Sequence, residues 1–270
     1  MTQFLELLQI YKWSLPASIF MAAVLALIGA QWTAREKSAQ IFVLGQGSSL
    51  GVVLGLALNL LLGTDFHGLS LLLGFCLGWV VLVVTEALIE KRTGRNHIYL
   101  TLFVFFLALT YLLTSITPSL ESHMAASYFG DVAVMSDTGA QVCLLFALLF
   151  GGFLLKQWRL LTQISFQQVN HSWIHRSRKN LLFDFGTLLV TTMSVQNMGY
   201  LFTTGSLFIA TTFAAARSHN LKTYTVKLVL ISLIGSALGF ALSLLSTVFP
   251  TVPCILIGQI IVGFLLYTKK

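Results

Sequence analysis

Apolar runs of about 20 residues recur from one end of the chain to the other, separated by short polar stretches. A helix rises about 1.5 Å per residue, so about 20 residues cross a hydrocarbon core of about 30 Å. Nine runs are expected to be spans: Ser14–Gln31, Ile41–Gly63, Leu69–Leu88, Ile98–Ile116, Gly139–Leu155, Leu181–Asn197, Tyr200–Ala216, Tyr224–Val248 and Cys254–Tyr267. The sixth and seventh are short and almost contiguous. They read either as two crossings or as one broken or re-entrant hairpin, which lowers the count to eight. The expected fold class is all-α, a polytopic transmembrane helical bundle.

Composition agrees with this pattern. Of 270 residues, 56% are hydrophobic and only 9% charged, with a mean hydropathy of +0.86. A soluble domain carries about 25% charged residues, so this chain cannot coat itself with a water-facing surface. No stretch of sixty residues reads as soluble, and no linker or low-complexity tract marks a boundary. A single membrane domain over 1–270 is expected.

The net charge of +7 acquires meaning from its placement. Arg35 and Lys37 follow the first span, and Lys91, Arg92 and Arg95 the third. Lys156, Arg159, Arg176, Arg178 and Lys179 follow the fifth, Arg217, Lys222 and Lys227 the seventh, and Lys269 and Lys270 end the chain. Fifteen of the sixteen basic residues therefore share one face, with Lys12 opposite. The positive-inside rule makes that face cytoplasmic, the N-terminus external and the C-terminus internal, in a cell inner membrane. Basic loops used in this way give no reason to expect a nucleic-acid partner. The outer face holds Glu6, Asp65, Glu121, Asp131 and Asp137. Met1–Lys12, with Phe4, Leu7 and Leu8 at helical spacing, reads as an interfacial helix in contact with membrane lipid.

Polar residues within the spans narrow the function. No span carries a pair of charges at its middle, where proton-coupled carriers need titrating groups. Glu86 and Asp184 fall near cytoplasmic helix ends and read as interfacial. The second span gathers Gly45, Gln46, Gly47, Ser48, Ser49 and Gly51. Small residues there let helices approach closely, and Gln46 and Ser49 are also candidates to line a substrate path. The sixth and seventh spans are the most polar, with Ser194, Gln196, Asn197, Thr203, Thr204, Thr211 and Thr212. Such helices usually face protein or a water-filled cavity, which makes Thr203 and Thr204 path candidates as well.

Enzymatic and metal chemistry find little support. His171 and His175 could share a helical face, but no cysteine or acidic ligand accompanies them. Cys76, Cys143 and Cys254 have no metal-type spacing and read as small apolar residues, although a bond between Cys143 and Cys254 is conceivable. No nucleophile motif, phosphate loop or HExxH is present. The chain is not expected to be an enzyme, to bind a cofactor itself or to hold a resident metal, and ATP-driven work would need a partner subunit.

The longest loop, Lys156–Asn180, is amphipathic. Trp158, Leu160, Leu161, Ile164, Phe166, Val169, Trp173 and Ile174 alternate with glutamines and basic residues. It reads as a short helix that docks on a cytoplasmic protein or lies on the anionic inner leaflet.

Four stretches resemble one family, the permeases of bacterial zinc/manganese/iron ABC importers. They are the Ser48-Ser49-Leu50-Gly51-Val52 run in the second span and Tyr128-Phe129-Gly130-Asp131 before the fifth. Gln157-Trp158-Arg159 opens the long loop, and Ala214-Ala215-Ala216-Arg217 closes the seventh span, with Pro250 and Pro253 opening the last. The resemblance implies a permease subunit moving zinc, manganese or a metal chelate, paired with a second copy or a homologue. It also implies an ATP-binding subunit seated on Trp158, Arg159, Phe166, Gln167, Gln168, His171 and Trp173. An extracytoplasmic solute-binding protein would dock at Asp65, Glu121, Asp131 and Asp137.

The departures from the family pattern are informative. The family's second span carries an aspartate and, four residues on, a histidine that gate metal; those positions fall on Phe42 and Gln46 here. Phenylalanine cannot ligate, and an amide is a poor partner for zinc. Gln167 and Trp173 replace an acidic residue and a glycine of the coupling loop, and Thr212 replaces a proline. Phe42, Gln46, Ser49, Thr203 and Thr204 are therefore expected path residues without metal ligands among them. The competing functions are a permease for a non-metal small molecule and a membrane scaffold that docks partners through 156–180.

Overall fold

The computed structural model describes residues 9–63, 67–89, 95–117, 128–130, 132–170, 178–216, 218–245 and 249–268. Among these, nine α-helices account for nearly all of the chain: α1 Ser14–Ala34, α2 Ser38–Leu62, α3 His67–Ile89, α4 Arg95–Ile116, α5 Asp137–Asn170, α6 Arg178–Met198, α7 Tyr200–Ala215, α8 Leu221–Ser243 and α9 Thr251–Thr268. A 3-10 turn, Val132–Val134, precedes α5. Each expected span corresponds to one helix, so the protein is all-helical and polytopic. Among the described residues, six helices are long and apolar enough to cross a membrane; α7 and α9 are apolar but shorter, and the more polar α6 is in neither group. The hairpin candidate resolves as two helices, α6 and α7, divided at Gly199. This glycine takes a φ of 92° and donates its N–H to the carbonyls of Ser194 and Val195. Only glycine enters that conformation without steric cost.

The long loop differs from expectation. Lys156–Asn180 is not a separate element, because α5 runs without a break for 34 residues to Asn170. At 1.5 Å per residue it is about 51 Å long, well beyond a hydrocarbon core of about 30 Å. Trp158 and Leu161, among the apolar residues that suggested an independent helix, continue the buried stripe of α5, whereas Phe166 and Val169 lie on its exposed side. Residues 171–177, with His171 and Trp173, lie outside the described residues, as do Asp65, Glu121, Asp131, Phe4, Leu7 and Leu8.

By its internal contacts the chain divides into two compact units. One comprises Met1–Ala30, Gly130–Gln157 and Leu201–Lys270. Close packing joins α8 to α9, where a side chain at Gly235 or Gly239 would collide with the backbone of Gln259 or of Cys254 and Ile255. Gln259 Nε2 donates to Ser236 Oγ at 2.9 Å and Ser206 Oγ at 3.4 Å, so one buried amide ties α9 to α8 and α7. Phe213 and Phe264 meet at 4.9 Å between ring centroids. Cys143 and Cys254 are both free thiols.

The other unit comprises Gln31–Phe129 and Trp158–Tyr200. It is organised around α2, whose first half is almost wholly buried. Gly51 and Gly55 bring α2 against α3 so closely that any Cβ would overlap the backbone of Leu73, Gly74 or Ser70. This is the small-residue packing of helices in lipid, where close approach and dispersion replace a hydrophobic driving force. Val43, Val81 and Tyr99 join α2, α3 and α4 in a buried cluster. Ser48 accepts from Thr192 at 3.2 Å, and Phe75 and Trp79 pack on Phe185, which holds α6 to the same pair.

Candidate functional site

The expected path residues on α2 lie where helix packing is tightest. Gln46 and Ser49 are fully buried, while Phe42, one turn earlier, is 37% exposed. Gly45 lets the ring of Tyr200 lie against α2, since a Cβ there would stand 3.0 Å from the ring. The Tyr200 hydroxyl donates to the Phe42 carbonyl at 3.3 Å. Tyr128, from the segment before α5, lies with its ring centroid 5.7 Å from that of Tyr200, the two rings tilted, and accepts a hydrogen bond from Gln46 Nε2. Phe103 of α4 adds a third ring, 6.4 Å from Tyr200.

The result is a neutral cluster of one amide and two phenols. Gln46 Oε1 is buried and has no hydrogen-bond partner among the described residues. Tyr128 accepts from Gln46, so its own O–H remains a donor. Burial pushes the Tyr128 phenol above its ordinary range, and the Gln46 hydrogen bond offsets part of that rise. The phenol therefore stays protonated at physiological pH. The cluster offers one amide acceptor and one phenolic donor, with no charge.

Among the described residues, no group of three His, Cys, Asp or Glu side chains could hold a metal ion.

Thr203 and Thr204 belong to the other unit, and both are buried. Thr204, Thr211 and Thr212 donate to carbonyls of the preceding turn of their own helix. Back-bonding of this kind satisfies a hydroxyl locally, so the polarity of α7 does not by itself require water beside it.

The far end of α5 has two distinct faces. Trp158, Leu161, Thr162 and Ser165 are buried, whereas Arg159, Gln163, Phe166 and Gln167 are exposed at helical spacing, Phe166 by 60%. Trp158 is 7% exposed; it packs inward and corrects the expectation that it presents a docking anchor. Gln168 is half-buried, and its Oε1 has no partner among the described residues. On the acidic side, Asp137 is exposed in the first turn of α5, where a carboxylate favours the helix dipole.

The buried face of α5 meets a charged knot that the sequence did not reveal. Arg35, just after α1, is 5% exposed. Its guanidinium donates to Asp184 at 3.0 Å, Asn180 at 2.8 Å and Ser165 at 3.1 Å, and lies 4.5 Å over the Phe183 ring. Gln31 adds bonds to Thr162 and from Ser165. Burial lowers the Arg35 pKa, while Asp184 pulls it back; an arginine keeps its charge throughout. In the sequence, Arg35 registers only as a topology charge and Asp184 only as an interfacial acid. The available signal was an arginine flush against an apolar run.

The profile of the ABC 3 transport family matches residues 8–269. The chain belongs to the ABC 3 transport family. It is a membrane-embedded, multi-pass permease of the ABC transporter type, and the expected family resemblance holds over nearly the whole chain. Among the solved structures that share its fold are two that align with nearly the whole chain. One is PsaBC from Streptococcus pneumoniae in complex with Fab, with a TM-score of 0.76 and 17% identity over 98% of this chain and 94% of that one. The other is an inward-facing metal-chelate type ABC transporter, with a TM-score of 0.73 and 18% identity over 97% and 88% of the two chains. No curated protein matches the sequence.

Proposed function

We propose that this family member is the permease subunit of an ABC importer in the cell inner membrane, and that its cargo is a divalent metal such as zinc or manganese carried as a chelate. Membership of the ABC 3 family supports the importer part. The observation that carries the cargo part is the neutral cluster of Gln46, Tyr128 and Tyr200 on the turn of α2 where the family resemblance leads one to expect an aspartate and a histidine. A bare divalent cation needs carboxylate, imidazole or thiolate ligands. An organic chelator instead satisfies the metal itself and exposes carbonyls, hydroxyls and apolar edges, which an amide and phenols recognise.

The remaining parts follow from the surfaces. The exposed face Arg159, Gln163, Phe166 and Gln167 of α5 seats an ATP-binding subunit, whose ATP hydrolysis drives transport. Asp137, with Asp65, Glu121 and Asp131, belongs to the side that receives an extracytoplasmic binding protein. A second permease chain completes the path, to which Phe42 and Ser49 contribute beside Gln46.

Purification of the chain with its genomic neighbours tests this reading. The expected result is a complex with an ATP-binding subunit whose ATP hydrolysis rises several-fold with a chelate-loaded binding protein. Recovery of the permease alone, with no ATP-binding subunit, would favour a scaffold and overturn the importer reading.

A further inference from the structure

The Arg35 knot has a position that packing alone does not explain. The part of α5 beyond Gln157 carries the exposed Phe166 face on one side and Ser165 on the other. Ser165 receives a hydrogen bond from Arg35 and donates to Gln31. Arg35 passes from there to α6 through Asn180 and Asp184, two residues one turn apart that also bond each other at 3.3 Å. Further along α6, Thr192 bonds Ser48 of α2, two residues from Gln46. Hydrogen bonds and the length of α6 between Asp184 and Thr192 thus connect the exposed end of α5 to the neutral cluster, and Arg35 is the point where α1, α5 and α6 converge.

The residues around Arg35 fit a joint that transmits displacement. Its five N–H donors in a fixed plane meet three separate acceptors on two helices, a geometry that a lysine or an apolar residue cannot reproduce. Buried charge makes the arrangement all-or-none, because a guanidinium leaving Asp184 without a new partner would stand uncompensated in a low-dielectric site. Packed elements with discrete arrangements carry coupling between distant sites.

We infer that Arg35 is a positioning residue for transport: it locks the projecting end of α5 to α6, so that a push on the Phe166 face is delivered to the Gln46 turn of α2. This rests on the reading of that face as the seat of an ATP-binding subunit.

The test uses the complete transporter in proteoliposomes and compares wild type, Arg35→Lys, Asp184→Asn and the charge-free pair Arg35→Met with Asp184→Leu. The double variant removes both buried charges together, so it keeps a folded chain to measure even where a single change does not. The expected result is normal assembly with the ATP-binding subunit and ATP hydrolysis within about twofold of wild type, but cargo uptake at least tenfold lower per ATP hydrolysed. Uptake per ATP equal to wild type in the double variant overturns the inference. Loss of assembly in all three variants also overturns it, in favour of a purely structural tie. Failure of the wild-type chain to recruit an ATP-binding subunit is a different outcome, and refutes the importer reading instead.

Discussion

Two polar regions of the same unit differ in their chemistry. Around Gln46 on α2, polarity is an amide and two phenols, with no charge and one acceptor left without a partner among the described residues. Around Arg35, a full positive charge is buried and saturated by a carboxylate, an amide, a hydroxyl and an aromatic face. The charged region sits at helix ends, where α1 finishes and α6 begins; the neutral one sits within the first half of α2. Charge within the bilayer is costly unless it is paired, so a saturated pair at the ends fixes geometry. In the proposed reading, the partly satisfied neutral group in the first half of α2 keeps capacity for a cargo, so that rigidity and recognition fall to different chemistry.

Breaking the charged region should have the largest effect. Arg35→Ala leaves Asp184 and Asn180 without their buried partner and is expected to destabilise the fold by about 3–5 kcal/mol, read as a fall in detergent melting temperature. Arg35→Met combined with Asp184→Leu should recover most of that loss. Gln46→Leu strikes the neutral region: it frees Tyr128 from one hydrogen bond and should cost only about 1 kcal/mol of stability. Uptake should nonetheless fall about tenfold, the factor that about 1.4 kcal/mol in cargo binding represents. Lys37→Gln removes an ion pair whose members, Lys37 and Glu86, are both partly exposed at 3.5 Å; a change below about 1 kcal/mol is expected. Phe166→Ala should leave the melting temperature almost unchanged, within about 0.5 kcal/mol, while weakening capture of an ATP-binding subunit in a pull-down.

The helices were legible because each is an apolar run bounded by polar stretches, and all nine runs appear as helices among the described residues. The extent of α5 was not legible. Glutamines and arginines after Leu155 look like a loop, yet Trp158, Leu161, Thr162 and Ser165 continue the buried stripe of the same helix. The candidate site was half legible. Gln46 stood out as an amide among glycines and serines, and Tyr128 opened the Tyr128-Phe129-Gly130-Asp131 stretch, but their pairing spans 82 residues of sequence. Tyr200 was hidden as the first residue of an apolar run. The Arg35–Asp184 bond joins residues 149 apart, and each had a sufficient local explanation of its own. Helical periodicity assigns residues to faces; it cannot say which face meets which.

The central claim is that the neutral turn of α2 passes a chelated metal and not a bare cation. Uptake by the reconstituted transporter, with its binding protein, should be measured with zinc or manganese offered as free ion and as an organic chelate. The account predicts ATP-dependent uptake of the chelate, with free ion transported at least tenfold more slowly. Equal or faster uptake of the free ion, persisting when Gln46 is replaced by leucine, would contradict it.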